Sequence, residues 1–247
     1  MTDALGWRKK FGVLAPSTNT IVEPDFYRMS VPGVTSHFSR IYIGDQDMGN
    51  QDAALRLLDQ IREEIGPSVQ RIMTAEPDYM IMGMSSETFW GGVEGNRRFN
   101  QRIKDLSGLE VATGATACER ALKAFNVKRV ALITPYQPVV DEQVIRYVEE
   151  MGFTVVATKG LRCPTAISIA HVDENTLRQA LVDVNSDEVE ALVQMGTNLS
   201  MVQLADEAER WLGKPVIAIN AAIWWMALRD NGINDKIYYC GRLLREH

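Results

Sequence analysis

Residues 78–92, DYMIMGMSSETFWGG, decide how the rest of the chain is read. The apolar run at 79–82 stops abruptly in glycine, serine and an acid, the pattern of a buried strand releasing the chain into a loop at its carboxyl end. In an open parallel sheet, ligands bind at such loops. Residues 190–200, EALVQMGTNLS, repeat the plan, with Gly196, Thr197 and Asn198 following the apolar run. Two such loops predict a site assembled from two similar halves.

Outward from this centre, strands are predicted at 11–15, 34–43 and 110–112, and helices at 21–29, 93–106 and 116–125. A long helix is predicted at 53–73, where Leu55, Leu58, Ile61, Ile65, Val69 and Ile72 make an apolar stripe for packing on a sheet. Gly66-Pro67 inside it predicts a break or kink. A polar, glycine-containing loop is expected at 44–50. From Val127 the plan restarts, because VKRVALITPY repeats the layout of KKFGVLAPST: basic residues, a short apolar run, then hydroxyls around a proline. Further strands at 154–157, 189–195 and 216–219 alternate with helices at 139–151, 174–185, 201–212 and 221–229. This alternation predicts an α/β fold with parallel sheets covered on both faces. The expected domains are 1–126 and 127–220, with 221–247 packing back on the first.

The 247 residues carry a formal net charge of −6 and no basic tract, which argues against nucleic acid as a partner. No apolar run has the length of a membrane span, and the start of the chain lacks a signal-peptide pattern, so a cytoplasmic location is expected. Cys118, Cys163 and Cys240 have no metal-ligand spacing and read as free thiols of a reducing compartment. The sequence contains no P-loop, no G-x-G-x-x-G after a strand, no H-E-x-x-H and no G-x-S-x-G, and its three histidines are scattered.

What remains at the strand ends is a set of hydroxyls, amides and glycines: Ser17 and Asn19, Ser85 and Ser86, Thr134 and Tyr136, Thr197 and Asn198. Such groups bind a carboxylate and stabilise an enolate-like species formed from it. Each is also an ordinary cap or turn former; their recurrence at four strand ends favours a site. Tyr136 is a candidate proton donor, Glu87 a candidate general base, and Ser85 an oxyanion donor or nucleophile, while Cys163 lies in a loop able to approach the site. Phe89-Trp90 and Trp224-Trp225 are candidates for a ring pocket, for core, or for a subunit interface.

PSTNT at 16–20, GMSSETFWGG at 83–92, ITPYQ at 133–137, GTNLS at 196–200, GKPVIAIN at 213–220 and GRLLRE at 241–246, in that order, resemble the maleate isomerase and arylmalonate decarboxylase group of the aspartate/glutamate racemase superfamily. The resemblance implies two similar three-layer α/β domains, each with a four-stranded parallel sheet, related by a pseudo-two-fold axis and enclosing the active site in the cleft between them. It implies no metal or organic cofactor, and a small mono- or dicarboxylate as substrate. It also implies carboxylate binding by Asn19, Tyr136 and Asn198 and oxyanion donors on the loop of Gly83, Met84 and Ser85. Where a maleate isomerase is expected to carry its two catalytic thiols, near Gly83 and Gly196, this chain has glycine.

Three functions stay open on this reading. The first is a cofactor-independent lyase or isomerase acting on a small carboxylic acid, aromatic or heteroaromatic acids included, through an enolate-like intermediate. The second is a hydrolase of an amide, lactam or ring-opening substrate using water activated by Glu87, and the third a noncatalytic carboxylate-binding protein. A homo-oligomer is compatible with all three.

Overall fold

Strand β1 (Lys9–Pro16) lies between two parallel partners, β2 (Val34–Ile41) and β3 (Tyr79–Met82), and β3 pairs in turn with β4 (Val111–Ala112). Phe11 stands opposite Tyr79 and Leu14 opposite Met82, which brings the carboxyl ends of β1 and β3 out on the same edge. Every residue of β3 is buried, and β1 is buried from Phe11 onward. A continuous apolar run, rather than an alternating one, is what a strand covered on both faces requires. The computed structural model describes residues 3–44, 47–48 and 50–247, so part of the loop expected at 44–50 lies outside the described residues.

Around this sheet are α1 (Val22–Arg28), α2 (Gln51–Met73), α3 (Ser86–Phe89), α4 (Gly92–Ser107) and α5 (Gly114–Ala124). The second half consists of β5 (Arg129–Thr134), α6 (Pro138–Glu150), β6 (Thr154–Gly160), α7 (Glu174–Val184), β7 (Ala191–Gln194), α8 (Val202–Leu212) and β8 (Val216–Ala218). Its strands are parallel in the order β6-β5-β7-β8, the same order as β2-β1-β3-β4. The fold is therefore α/β, with two four-stranded parallel sheets of one topology. The chain ends in α9 (Ile219–Asp230) and α10 (Arg242–Glu246).

Two elements differ from the sequence expectation. α2 runs unbroken through Gly66 and Pro67. Its buried stripe runs through Leu57, Leu58, Ile61, Ile65, Val69 and Ile72, the helix packs on β1 and β2, and that burial outweighs the single backbone hydrogen bond that Pro67 removes. Leu57, not Leu55, belongs to the stripe. The one-turn helix α3 occupies what the sequence read as loop, because four residues are too few to show a period.

α9 is buried on all sides from Ile219 to Leu228, as expected of a helix that is apolar around its whole circumference. It packs on α1, α5, β3 and β4 of the first sheet. Trp224 meets Phe11 edge-to-face and Phe26 at a tilt, at 5.5 and 5.0 Å between ring centroids, and its indole N–H donates to Met29 O at 2.7 Å. Two buried acids of α8 fasten the chain's end. Glu209 accepts from Val216 N at 3.1 Å and Arg242 N at 2.7 Å, and Asp206 accepts from Gly241 N at 3.1 Å.

Candidate active site

The carboxyl ends of β1, β3, β5 and β7 release four loops toward one another, and their polar side chains bond across the gap between the sheets. Asn19 follows β1 and uses both ends of its amide. Its Oδ1 accepts from Ile21 N and Val22 N, each at 3.0 Å, which caps the start of α1, and its Nδ2 donates to Thr197 Oγ1 at 3.0 Å. Thr197 Oγ1 in turn donates to Gly83 O at 3.0 Å. Asn198 Oδ1 accepts from Thr20 N at 3.0 Å, and its Nδ2 donates to Ala166 O at 3.1 Å.

Ser85 follows β3 and Tyr136 follows β5. Their hydroxyls lie 2.9 Å apart, and Ser85 Oγ accepts from Gly196 N at 3.2 Å. A hydroxyl so fixed is a poor free nucleophile but a well-oriented donor. The close approach of α5 holds Ser85 in place: a Cβ on Gly114 would come within 2.9 Å of Ser85 Cβ. Gly196 is required for two reasons. Its φ is +100°, and a Cβ there would sit 2.7–2.8 Å from the ring of Pro135. Burial raises the Tyr136 phenol pKa, against which the Ser85 hydrogen bond acts. Behind the second loop, Asn220 Nδ2 donates to Thr197 O at 3.0 Å and to Asp25 Oδ2 at 2.8 Å, and burial pushes Asp25 up to about 6.

These loops form part of the lining of a cavity of about 80 Å³. Thr18, Asn19, Met84, Ser85, Ser86, Tyr136, Gly196, Thr197 and Asn198 contribute to that part. The rest of the lining is apolar: Leu57, Leu58 and Ile61 from α2, with Ile43, Met48, Val140, Ala166 and Ile169. Among the described residues no Asp, Glu, Lys, Arg, His or Cys side chain lines it. The hydroxyls of Thr18 and Ser86 and the N–H groups of Met84, Thr197 and Asn198 donate to no acceptor among the described residues. An anion entering here therefore meets uncommitted neutral donors rather than a fixed cation. Nor do the described residues contain a cluster of three or more His, Cys, Asp or Glu able to hold a metal ion.

Several residues singled out in the sequence are not brought to this cavity. Ser17 is exposed and ties β1 to the end of β2, its Oγ accepting from Ile43 N at 3.0 Å; Thr18, one residue on, lines the cavity in its place. Thr134 is fully buried, bonded to Asp141, and accepts from Tyr136 N at 3.2 Å, so it shapes the turn that presents Tyr136. Gly83 contributes only the carbonyl that Thr197 holds. The thiol of Cys163 is buried outside the lining, and burial raises its pKa. Glu87 is also outside it: both carboxylate oxygens accept from Arg62 of α2, at 2.7 and 3.1 Å. Burial raises the Glu87 pKa and Arg62 opposes the rise. A water-activating role for Glu87, and with it the hydrolase reading, finds no geometry here. Phe89, Trp224 and Trp225 are buried in the core, and no residue of either aromatic pair lines the cavity.

The sequence reading missed the α2 wall, whose stripe it assigned wholly to sheet packing. The sequence carried no separate signal for it, because a stripe that packs on a sheet and one that faces a cavity need the same apolar residues.

The profile of the arylmalonate decarboxylase family matches residues 48–244, a span that includes the loops after β3, β5 and β7 and the α2 wall. The chain belongs to the arylmalonate decarboxylase family. Among its relatives, a maleate isomerase of Nocardia farcinica is 25% identical over 246 residues, covering 96% of each chain, and an arylmalonate decarboxylase of Bordetella bronchiseptica is 26% identical over 228 residues, covering 91% of each. The solved Nocardia farcinica maleate cis-trans isomerase bound to Tris superposes with a TM-score of 0.87 at 24% identity, over 96% of this chain and 98% of that one. A crystal structure of arylmalonate decarboxylase gives 0.76 at 22% identity, over 95% and 98%. The arylmalonate decarboxylase family thus accounts for both sheets and for the gap between them. No helix among the described residues is long and apolar enough to cross a membrane.

Proposed function

We propose that the protein is a cofactor-independent decarboxylase of a malonate-like diacid bearing a small apolar substituent, an aromatic ring included. The observation that carries this reading is the division of the cavity into a neutral donor side and an apolar wall with no charged side chain between them. One carboxylate of the substrate is held by the free donors of Thr18, Ser86, Met84, Thr197 and Asn198, in charge-assisted hydrogen bonds. The second is turned toward Leu57, Leu58 and Ile61, where loss of hydration disfavours the anion and favours its departure as neutral carbon dioxide. The electron pair left behind spreads into the first carboxylate as an enediolate, whose added charge falls on the oxygens those donors already face.

The relatives' names point to maleate and arylmalonates as their substrates, which is the chemical range this cavity suits. Isomerisation of an alkene through covalent addition is the less favoured chemistry, because no thiol is among the described lining residues and Ser85 has no base beside it. The test is incubation with alkyl- and arylmalonates and with maleate, followed by NMR. Conversion of a substituted malonate to its monocarboxylate is expected; conversion of maleate alone would move the assignment to an isomerase.

A further inference from the structure

We infer that Tyr136 is the acid that delivers the proton to the substrate carbon, with Ser85 holding the phenolate that results, so that turnover requires no thiol. This rests on the decarboxylation proposed above. It starts from an elimination: among the described residues lining the cavity, Tyr136 is the only one with a titratable side chain. The enediolate left by loss of carbon dioxide must be protonated at carbon, and among the described lining residues Tyr136 is the one general acid in reach.

The geometry supports the assignment from two directions. The Tyr136 hydroxyl lies 3.6 Å from the point where a side chain on Gly196 would begin, and the rest of that space is filled by Pro135, so no group from the second loop competes for its place. Ser85 Oγ already accepts the Gly196 N–H at 3.2 Å, which leaves its own proton free to be donated to the Tyr136 oxygen 2.9 Å away. The chain Gly196 N–H, Ser85 O–H, Tyr136 oxygen is polarised in the direction that stabilises a phenolate, and it leaves the phenol proton free to face the cavity. Charged groups near the ring are Asp141, which raises the phenol pKa, and Arg162, which pairs with Asp141 and with the Tyr136 carbonyl. The raised pKa keeps the donor protonated through the neutral range and is no barrier to transfer, because an enediolate carbon is a far stronger base than a phenolate.

The step balances without a co-reactant. The bond from Cα to one carboxylate breaks and releases carbon dioxide; its electron pair enters the enediolate. The Tyr136 O–H bond then breaks, its proton forms the new C–H bond, and the phenolate is reprotonated from water. Cys118, Cys163 and Cys240 are all buried, and none lines the cavity.

The experiment uses an α-methyl-α-arylmalonate, whose product is chiral, and reads kcat, KM and the enantiomer ratio for the wild type, Tyr136→Phe and Ser85→Ala. The wild type is expected to give one enantiomer in excess and to keep its rate after treatment with iodoacetamide. Tyr136→Phe should lower kcat about 100-fold or more, with a smaller change in KM, and the residual product should be racemic because water then protonates either face. Ser85→Ala keeps the phenol, so it should slow turnover by about tenfold while retaining the enantiomer excess. Should Tyr136→Phe fail to fold, the Ser85→Ala ratio still decides: a racemic product there overturns the assignment. Enantiopure product from a folded Tyr136→Phe, or loss of wild-type activity on alkylation, also overturns it. Failure of the underlying decarboxylation would be visible earlier and separately, as a wild type that releases no carbon dioxide from any malonate.

Discussion

Gly196 shows how narrowly a single backbone position is constrained. With φ at +100° and the Pro135 ring where a Cβ would go, Gly196→Ala combines backbone strain with overpacking and is expected to destabilise the protein by roughly 2–4 kcal/mol, read as a lower urea midpoint. Ser86 is the opposite case. Its hydroxyl has no acceptor among the described residues, so Ser86→Ala should leave that midpoint nearly unchanged and weaken carboxylate binding about tenfold, measured by calorimetry with a malonate. An equal loss of stability would mean that the hydroxyl serves the fold. At this scale the sequence was legible as residue type but not as direction. PSTNT announced a polar turn, yet whether Ser17 or Thr18 faces inward depends on a parity that is lost once the strand ends. Glu87 read as a candidate general base because its partner, Arg62, lies 25 residues earlier on another helix.

Among the elements, α2 has two tasks along one stripe: its central and C-terminal part covers the first sheet, and Leu57, Leu58 and Ile61 face the cavity. The Arg62–Glu87 pair fixes this wall to α3, directly after the Ser85 loop. Removing Arg62 alone leaves a largely buried carboxylate without its partner. Because Arg62 is a third exposed, Arg62→Met is expected to cost about 2 kcal/mol, below the range for fully buried pairs, and to loosen the apolar wall. Much of that loss should return in the Arg62→Met, Glu87→Leu double variant, and a double-mutant cycle in urea with no coupling would show that the pair does not act as a tether. Periodicity located α2, and uninterrupted apolar runs located the central strands β1, β3, β5 and β7, which are buried on both faces. It could not say which stretch of a stripe meets a sheet and which meets a void, because both demand the same residues.

For the whole molecule, acids buried far from one another set a common pH response. Burial pushes Asp25 up to about 6 and Glu209 up to about 7, from ordinary values of 3.8 and 4.5. Between the unfolded and folded values the native state binds more protons than the unfolded chain, so these two contributions to stability fall as pH rises from about 4 to about 7. Acids held below their ordinary range, Asp235 by the Arg8 guanidinium and Glu150 by the Val93 N–H, act in the reverse sense and lose their contribution only in stronger acid. Maximum stability is therefore expected at about pH 4, where the raised acids are still protonated and the lowered ones still ionised, and Glu209→Gln should flatten the decline between about pH 5 and 7 when urea midpoints are compared across that range.

The position of α9 reaches beyond the finished structure. The first sheet and its helices are complete in sequence at Ala124, but the helix that covers their remaining face begins only at Ile219. A ribosome adding roughly 5–20 residues per second needs on the order of 5–20 s to cross that interval. For that time the apolar surface awaiting Trp224 stands uncovered, a natural docking surface for a holdase chaperone. A nascent chain stalled before Ile219 is expected to remain protease-sensitive throughout its first half, and to become resistant only once the final helices have emerged.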